Sequence, residues 1–555
     1  MYLRSIRIEN YRAVREGWIS LDKTTVLIGE NDCGRSSVIE ALMLVLGSRG
    51  ETFESRLRPF HFHRRPDGTT GPLRVILHLV EDTPGSWSPP GSVQQAFPAG
   101  SSRRLELDFE LRAVLDGLTE GISTCCYLRV SRDGDSIPCG DEVLTWLREM
   151  IPALWLRSGL LSPASEQETD KPAPDPAATD PALAALELHY RNLVTGNAPD
   201  LAAELEMGAR AAQDVMDKYQ RLFATSVPMM SAMASDVLRR RELSSAAINP
   251  QTHTAAHRIG VLLLLGSILR LSRRSLAPQG KPILVIENPE SNLHPITLAN
   301  VWRTIERLTW QKIIATNSGT LLGNAPLASI RRLTRGDGKI SEWSVQPRLL
   351  SREDLRRVSY HLRSRRSPAM FARCWLLVEG ETEYWMIPEL ARVCGFDFST
   401  EGVACVEFAQ CGLPPLTKLA DSLGIAWHVL VDGDEAGERY AETVRSLLAT
   451  RPRQDRTGKV TKLRERDIEH HFWSSGFADV IQRLARADAA ARRTPASVMI
   501  RKAIEKTSKP FLALSLIDAA ADRGPKAVPP VLRGLIESSI AMARSSPASR
   551  SQQAP

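Results

Sequence analysis

Four short, largely apolar segments, each followed directly by polar or acidic residues, constrain the fold of this chain most. They are PILVI at 282–286, KIIAT at 312–316, CWLLV at 374–378 and WHVLV at 427–431. Segments this apolar are typical of strands covered on both faces, as in parallel sheets flanked by helices. The sequence therefore predicts an α/β fold, and 555 residues leave room for more than one such unit.

The spacing of these segments predicts two α/β domains. We expect a first domain over 1–362, with strands alternating with helices up to about 150 and a helical insertion at about 181–245. A linker is predicted at 363–372, a second domain at 373–475, a helical part at 476–543 and a disordered tail at 544–555. The Pro-, Ala- and acid-rich stretch at 157–180 is predicted to be a flexible surface loop.

The composition restricts the expected partners and the cellular location, but it does not identify a function. A net charge of +7 favours polyanionic partners, nucleic acid being the commonest. The eight cysteines include no CxxC pair, so neither a zinc site nor a disulfide framework is expected. The first residues lack a signal-peptide pattern, and the longest apolar run, 259–269, is too short to span a membrane. We therefore expect a cytoplasmic protein without a membrane partner.

The segment VLIGENDCGRSS at 26–37 has the pattern of a strand, a loop bounded by glycines and a helix. This is the context of a P-loop, in which backbone N–H groups and a helix N-terminus surround phosphate oxygens and a serine ligates Mg²⁺. The usual lysine of GxxxxGK[ST] is replaced by arginine, which keeps the charge but has a different reach. The predicted ATP-binding residues of this loop are Gly29, Asn31, Gly34, Arg35, Ser36 and Ser37.

A second phosphate-site motif follows the apolar segment at 282–286. The residues IENPESNLHP resemble the Walker B strand and following loop of ABC-type ATPases of the SMC, RecF and OLD kind, with Glu287 expected to hold Mg²⁺. Asn288 stands where these families place a catalytic carboxylate, and an amide cannot accept a proton from water. Asn317 stands where they place a switch histidine, and the best signature candidate is at 256–263. We therefore expect ATP binding with weak hydrolysis.

Two pairs of carboxylates follow the later apolar segments. Glu379 and Glu383 lie after the first, with a glycine between them, and Asp432 and Asp434 lie after the second in the motif DGDEAG. Residues two apart on an extended segment share a face. Clustered carboxylate oxygens suit Mg²⁺ or Mn²⁺ and no softer metal. This half of the chain looks like a Toprim domain holding two divalent ions.

The order P-loop, long insertion, Walker B motif and Toprim motifs resembles the overcoming-lysogenization-defect (OLD) family of ATP-dependent nucleases. Segments such as FARCWLLVEGETE, HVLVDGDEAG and ATNSG are similar to its YbjD-like branch, and the likeness extends from Met1 to about Arg544. The resemblance implies a metal-dependent DNA endonuclease that is a homodimer through its ATPase half, with a role in phage defence or DNA repair. For some members it also implies a helicase partner.

The same resemblance implies further site residues. It makes Glu469 the candidate for completing a second metal site, with Asp467 as the alternative. It makes Lys509 the candidate catalytic lysine, ahead of Lys506. Glu379 carries the acid or base role as well as metal binding in this interpretation. The neighbouring histidines at 470 and 471 are interpreted as structural or solvent-facing.

A non-enzymatic alternative is an SMC- or RecF-like ATP-dependent clamp that binds DNA without cutting it. Intact carboxylates in the second half favour the nuclease, whereas the altered P-loop site favours the clamp for the first half only. A topoisomerase-like strand passer is disfavoured because the sequence shows neither a tyrosine-nucleophile domain nor a matching ATPase.

Overall fold

The computed structural model divides the chain into two compact units. One comprises Met1–Ala325 with Ser329–Glu342, and the other Pro326–Ala328 with Trp343–Pro555. The structure describes residues 1–47, 53–65, 67–85, 87, 89–97, 104–116, 121–130, 135–156, 181–195, 203–204, 207–208, 210–211, 214, 280–291, 295–307, 310–346, 349–362, 367–449, 458–486 and 494–546. The units divide earlier in the chain than the predicted linker, and the predicted domain limits stay predictions.

Several predicted features fall outside the described residues. They are the 157–180 loop, most of the 181–245 insertion, the signature candidate at 256–263 and the tail beyond 546. The described start of the 181–245 range, Pro181–Thr195, is a helix, and the predicted insertion itself stays a prediction. Among the described residues, no helix combines the length and apolarity needed to cross a membrane.

The first unit is built on one large sheet. Its strands are β1 Tyr2–Tyr11, β2 Val14–Ser20, β3 Thr24–Gly29, β4 Leu73–Val80, β5 Glu106–Leu115, β6 Ile122–Val130, β7 Ile137–Cys139, β8 Ala153–Leu156, β9 Ile283–Glu287, β10 Gln311–Ala315, β11 Ile330–Gly336 and β12 Lys339–Ser344. They lie in the order β7-β6-β5-β4-β1-β2-β12-β11-β3-β10-β9-β8. The helices before the unit boundary are α1 Arg35–Leu46, α2 Phe53–Arg56, α3 Asp141–Met150, α4 Pro181–Thr195, α5 Pro295–Arg307 and α6 Gly319–Asn324.

The half of this sheet that contains β3 is parallel. Strand β3 pairs in parallel with β10 and β11, β10 with β9, and β9 with β8. Every residue of β10 is buried, as expected for a strand covered on both faces. The carboxyl ends of β3, β9 and β10 therefore meet at one edge, which is where the two phosphate-site motifs lie.

The other half corrects our expectation for residues 1–150. Strands β4 to β7 follow one another as antiparallel neighbours instead of alternating with long helices. Strand β5, ELDFELRAVL, alternates polar and apolar residues, and its buried positions alternate in the same way. Alternation of this kind is typical of antiparallel strands with one exposed face, and it was the signal that the expectation missed.

The second unit contains a smaller, fully parallel sheet. Strands β13 Cys374–Val378, β14 Val403–Glu407, β15 Ala426–Val431 and β16 Gly458–Lys462 lie in the order β14-β13-β15-β16. Its helices are α7 Arg352–His361, α8 Glu381–Val393, α9 Phe398–Glu401, α10 Leu413–Ser422, α11 Glu435–Ala449, α12 Ile468–Phe472, α13 Ala478–Leu484, α14 Ala496–Lys506, α15 Lys509–Arg523 and α16 Pro530–Ser545.

One hydrophobic core joins this sheet to the C-terminal helices. Strand β13 is buried throughout, and one face of it, Cys374, Leu376 and Val378, packs in one cluster with residues such as Leu512 and Leu535 from α15 and α16. Burying a leucine or isoleucine side chain contributes ~1.5–3 kcal/mol, so the C-terminal helices hold the sheet in place. The predicted α/β class, with a helical C-terminal part, is confirmed.

Candidate functional site

The glycine loop between β3 and α1 depends on its two glycines. Gly29 and Gly34 have φ values of +152° and +101°, a range that side chains rarely adopt. A Cβ atom at Gly29 would lie 2.4 Å from the backbone oxygen of Leu333, and one at Gly34 would lie 2.5 Å from Cδ1 of Ile340. The loop can therefore make its turn only with glycine at both positions.

The structure brings Ser36 and Glu287 together, as the P-loop prediction requires. The Ser36 hydroxyl donates to Oε1 of Glu287 at 2.6 Å. Ser36 and Asn31 are exposed, whereas Ser37 is buried. A serine hydroxyl next to an acidic residue at the end of the neighbouring motif is an arrangement that can hold Mg²⁺.

Arg35 is placed differently from a phosphate-binding lysine. Its side chain is buried, and Nη1 donates a 2.8 Å hydrogen bond to the backbone oxygen of Thr316, just past the end of β10. The guanidinium is thus engaged within the protein. Phosphate contact would require this hydrogen bond to be shared or broken, which is consistent with an altered nucleotide site.

Glu290 is a site residue that the sequence analysis missed. Its Oε2 accepts from the Thr316 hydroxyl and its Oε1 from the backbone N–H of Asn317, both at 2.7 Å. The backbone N–H of Asn288 also donates to Ala315 at 2.8 Å. These bonds tie the loop after β9 to the segment after β10. The sequence did contain a signal for Glu290, since it is the second acidic residue of the ENPE motif.

Glu379 and Glu383 lie at the junction of β13 and α8. Glu383 is buried and its Oε2 accepts from the backbone N–H of Gly380 at 3.1 Å, which satisfies a free donor at the start of α8. Oε2 of Glu379 is buried and has no hydrogen-bond partner among the described residues. Burial raises the pKa of Glu379, and the negative charges of Asp434 and Glu383 raise it further.

Asp432 and Asp434 follow β15, beside β13. Burial raises the pKa of Asp432 to about 8, with further contributions from the charges of Glu383 and Glu379. Asp434 is exposed and its Oδ1 accepts from the backbone N–H of Gly437 at 2.8 Å. The two pairs of carboxylates therefore lie close enough to influence each other's protonation.

Two glycines of the DGDEAG motif are needed by the turn itself. A Cβ atom at Gly437 would lie 2.0 Å from the backbone oxygen of Asp432, and one at Gly433 would lie 2.3 Å from that of Glu465. Contacts this short cannot exist, so any larger residue would displace the aspartates. No role was predicted for Gly437 from the sequence, although its place in the DGDEAG motif was the available signal.

The third acidic segment lies at the start of α12. Asp467 is its N-cap, and Oδ1 accepts from the backbone N–H of His470 and contacts Nδ1 of the same residue, at 2.9 and 2.6 Å. Burial tends to raise the pKa of Asp467, but the hydrogen bonds from His470 lower it more. His471 is buried and Nδ1 lies 2.5 Å from Oε2 of Glu465. Both histidines thus contact carboxylates close in the chain.

Lys509 forms an ion pair with Glu469. Its Nζ lies 3.1 Å from Oε1 of Glu469, which is buried, while the lysine side chain is 49% exposed. Burial raises the pKa of Glu469, although the ammonium group of Lys509 opposes this rise. Burial alone would lower the pKa of Lys509, but the charge of Glu469 outweighs it and the pKa is raised.

These side chains form a single electrostatic cluster. The pKa of Asp432 is raised by the charges of Glu383, Glu379, Asp467 and Glu469 as well as by its burial. In the described part of the chain, no three His, Cys, Asp or Glu side chains already have the geometry of a metal site. The carboxylates therefore lie near one another without forming a preformed metal site.

The residues nevertheless fit divalent cations by their chemistry. All the donors are carboxylates, which hard cations prefer. Like charges held together in a half-buried place are unfavourable without a counter-charge. The buried Oε2 of Glu379, which lacks a hydrogen-bond partner, is available as a ligand.

Comparison with known proteins matches both halves of the chain. The model of a family described as a protein of unknown function, DUF2813, matches residues 1–369. The model of an OLD protein-like Toprim domain matches residues 370–434, which include both pairs of carboxylates. The Escherichia coli K12 protein described as uncharacterized protein YbjD is 34% identical over 564 residues, covering 98% of this chain and 99% of that protein.

Among solved structures, the C-terminal region of the Burkholderia pseudomallei OLD protein is 21% identical. That comparison covers 31% of this chain and all of that chain, with a TM-score of 0.26. The SMC head domain from Thermotoga maritima is 12% identical, covering 62% of this chain and all of that chain, with a TM-score of 0.31.

Proposed function

Since this chain belongs to the DUF2813 family and carries an OLD-like Toprim domain, we propose that it is an ATP-binding, divalent-metal-dependent DNA endonuclease. The observation that carries the proposal is the cluster of acidic side chains beside the ammonium group of Lys509. Three separate segments contribute to that cluster, and few structural roles would require so many carboxylates in one place.

The reaction that the cluster supports is hydrolysis of a phosphodiester. The proposed ligands of two divalent ions are Glu379, Glu383, Asp432, Asp434 and Glu469. When bound, such ions supply Lewis acidity to the phosphate and favour a nucleophilic water at neutral pH. The water gives up a proton as its oxygen bonds to phosphorus, the bond to the leaving deoxyribose oxygen breaks, and that oxygen takes up a proton.

The protein's own groups have distinct parts in this scheme. Glu379, whose pKa burial raises above its ordinary value, is the proposed acid or base of the reaction. Lys509 brings a positive charge to the site, where it would stabilise the additional negative charge on the phosphate oxygens. Asp467 is the alternative to Glu469 as a ligand, although its oxygen Oδ1 is already engaged by His470.

The first unit is proposed to bind ATP and to hydrolyse it slowly. Its proposed nucleotide residues are those of the glycine loop together with Glu287. Arg35 is engaged with the backbone oxygen of Thr316, and Asn288 offers no carboxylate at the expected position of the base. Both observations favour a unit that binds ATP without rapid hydrolysis. We propose that ATP binding, with pairing of two copies through this half, regulates the nuclease. They also keep the DNA-binding clamp as the second candidate.

Plasmid cleavage separates the two candidates. With Mg²⁺ or Mn²⁺ the purified protein should nick or linearise supercoiled plasmid, and Glu379→Ala and Asp432→Ala should each abolish this. Asp518→Ala, which removes an exposed acid from α15, is the matched control and should cut like the wild type. Equal cutting by all four proteins would remove the proposed site from the mechanism, whereas cutting by none of them would refute the nuclease and leave the clamp.

A further inference from the structure

Glu465 is an acidic residue of the second unit that is not one of the proposed metal ligands. It lies between β16 and α12, the short helix that carries Glu469. Its carboxylate is engaged within the protein, because Oε2 lies 2.5 Å from Nδ1 of His471 and Oε1 accepts from the hydroxyl of Ser474 at 2.9 Å. The role of Glu465 therefore depends on which groups it holds.

The backbone of Glu465 contacts the turn that carries the paired aspartates. The backbone N–H of Gly433, the residue between Asp432 and Asp434, donates to the backbone oxygen of Glu465 at 3.0 Å. A Cβ atom at Gly433 would lie 2.3 Å from this oxygen, so the two backbones are in direct contact. The position of the turn is therefore tied to that of Glu465.

The side chain of Glu465 holds α12 through His471. The His471 ring is buried, and its Nε2 has no hydrogen-bond partner among the residues that the structure describes. A carboxylate only accepts, so the proton between the ring and Glu465 is assigned to Nδ1. His471 follows Glu469 by two residues in α12, which spans only Ile468–Phe472. In a helix this short, the direction of one fixed side chain determines the direction of the others.

Glu465 and His471 thus connect two segments that supply proposed metal ligands. Asp432 and Asp434 lie on one segment and Glu469 lies on the other. A divalent ion bound by both segments needs their carboxylate oxygens at the right separation at the same time. Residues that hold metal ligands in place without binding the metal commonly change its affinity by ~10–100-fold when they are replaced. A hydrogen-bonded pair that joins the two segments is placed for this role.

We infer that Glu465 and His471 are positioning residues that hold Glu469 in place relative to Asp432 and Asp434, so that the two segments bind divalent ions together. The inference rests on the proposed function, because it assumes that these carboxylates bind metal. Its consequence is that the affinity for metal depends on a hydrogen bond between two residues that are not ligands.

The test measures binding of Mn²⁺ to the full-length protein by isothermal titration calorimetry without ATP, counting only the sites that Asp432→Ala removes. Glu465→Gln should weaken this binding by about tenfold or more, because the glutamine oxygen can accept from only one of the two side-chain donors. His471→Leu, which removes the ring donor, should do the same. His471→Asn should retain most of the affinity, since its amide nitrogen can replace Nδ1 as the donor.

Glu401→Gln is the matched control within the same unit. The two oxygens of Glu401 accept from Arg544 at 2.8 and 2.6 Å, so this variant also weakens a carboxylate with two hydrogen bonds, and it should bind Mn²⁺ like the wild type. The inference is wrong if Glu465→Gln keeps the affinity of the wild type or if Glu401→Gln loses as much. It is also wrong if a folded His471→Asn binds as weakly as His471→Leu. If circular dichroism shows that His471→Leu is unfolded, the comparison of the two glutamine variants decides.

The two proposals can fail separately. A wild type that binds Mn²⁺ more tightly than Glu465→Gln but cuts no plasmid would uphold the positioning role and refute the nuclease. A protein that cuts plasmid through Asp432, with the same Mn²⁺ affinity in the wild type, Glu465→Gln and His471→Leu, would uphold the nuclease and refute the positioning role. A wild type with no Mn²⁺ binding that depends on Asp432 would refute both.

Discussion

Replacing Asp432 by asparagine should stabilise the protein when no divalent ion is present. Asparagine has nearly the same shape but no charge, so it removes one of the mutually repelling carboxylates. Burial and the charges of Glu383 and Glu379 raise the pKa of Asp432 from 3.8 to about 8. In the unfolded chain this group is ionised at neutral pH, so folding at pH 7 must either protonate it or hold its charge in an unfavourable place.

The size of the gain follows from the pKa. A change of one in pKa corresponds to ~1.4 kcal/mol, so the span from 3.8 to pH 7 sets an upper bound of ~4 kcal/mol on the penalty. Asp432 is only half-buried and water screens its neighbours, so we expect a gain of ~1–3 kcal/mol. Because the folded pKa is raised, the contribution of Asp432 to the free energy of unfolding is greatest below pH 3.8 and is lost as pH rises towards 8. The advantage of Asp432→Asn should grow over the same range.

Chemical denaturation in EDTA, at several pH values between 4 and 8, measures this difference. Added Mg²⁺ should raise the melting temperature of the wild type more than that of Asp432→Asn, since only the wild type has the full set of ligands. Thermal unfolding measures this difference. Asp518→Asn, at an exposed position, should change neither quantity. If Asp432→Asn is less stable than the wild type in EDTA at pH 7, Asp432 is not destabilised by its neighbours and the reasoning is refuted.

Three further predictions concern catalysis, the motif turn and the nucleotide. Lys509→Ala should lower kcat for DNA cleavage by about 10²-fold, because it removes the cation next to the phosphate. Lys506→Ala should leave kcat nearly unchanged. A larger loss of kcat in Lys506→Ala would assign the catalytic role to Lys506 instead. Gly437→Ala should destabilise the protein by ~1–3 kcal/mol and reduce cleavage, since its Cβ would lie 2.0 Å from a backbone oxygen of the preceding turn. Gly534→Ala on α16, where a Cβ meets nothing within 4 Å, is the control and should be neutral or stabilising in the same unfolding assay. ATP should bind in a calorimetric titration but be turned over slowly, and rapid phosphate release that Arg35→Ala abolishes would contradict this.

Local patterns were sufficient to predict the parallel half of the first sheet and the parallel sheet of the second unit. Wholly apolar strands can be buried on both faces only in such sheets, and the carboxyl ends of adjacent parallel strands must meet at one edge. That argument alone places the acids after β13 beside those after β15. It also places the glycine loop beside Glu287, where the Ser36 hydroxyl contacts it.

Contacts between distant side chains were not predictable in the same way. The hydrogen bond from Arg35 to Thr316 joins residues 281 positions apart, and the hydrogen bonds of Glu290 depend on how two loops approach each other. No periodicity or propensity encodes such an approach. The antiparallel strands β4 to β7 are a different case, because the alternation of polar and apolar residues in β5 was visible in the sequence and was missed.

Thr316 joins both loops of the candidate nucleotide site. Its carbonyl oxygen accepts a hydrogen bond from Arg35 of the glycine loop. Its hydroxyl donates a hydrogen bond to Glu290 of the loop after β9. Neither loop can shift without breaking a hydrogen bond to this one residue. A nucleotide entering here would meet two loops already ordered against each other, but a contact between its phosphate and Arg35 would cost the hydrogen bond to Thr316.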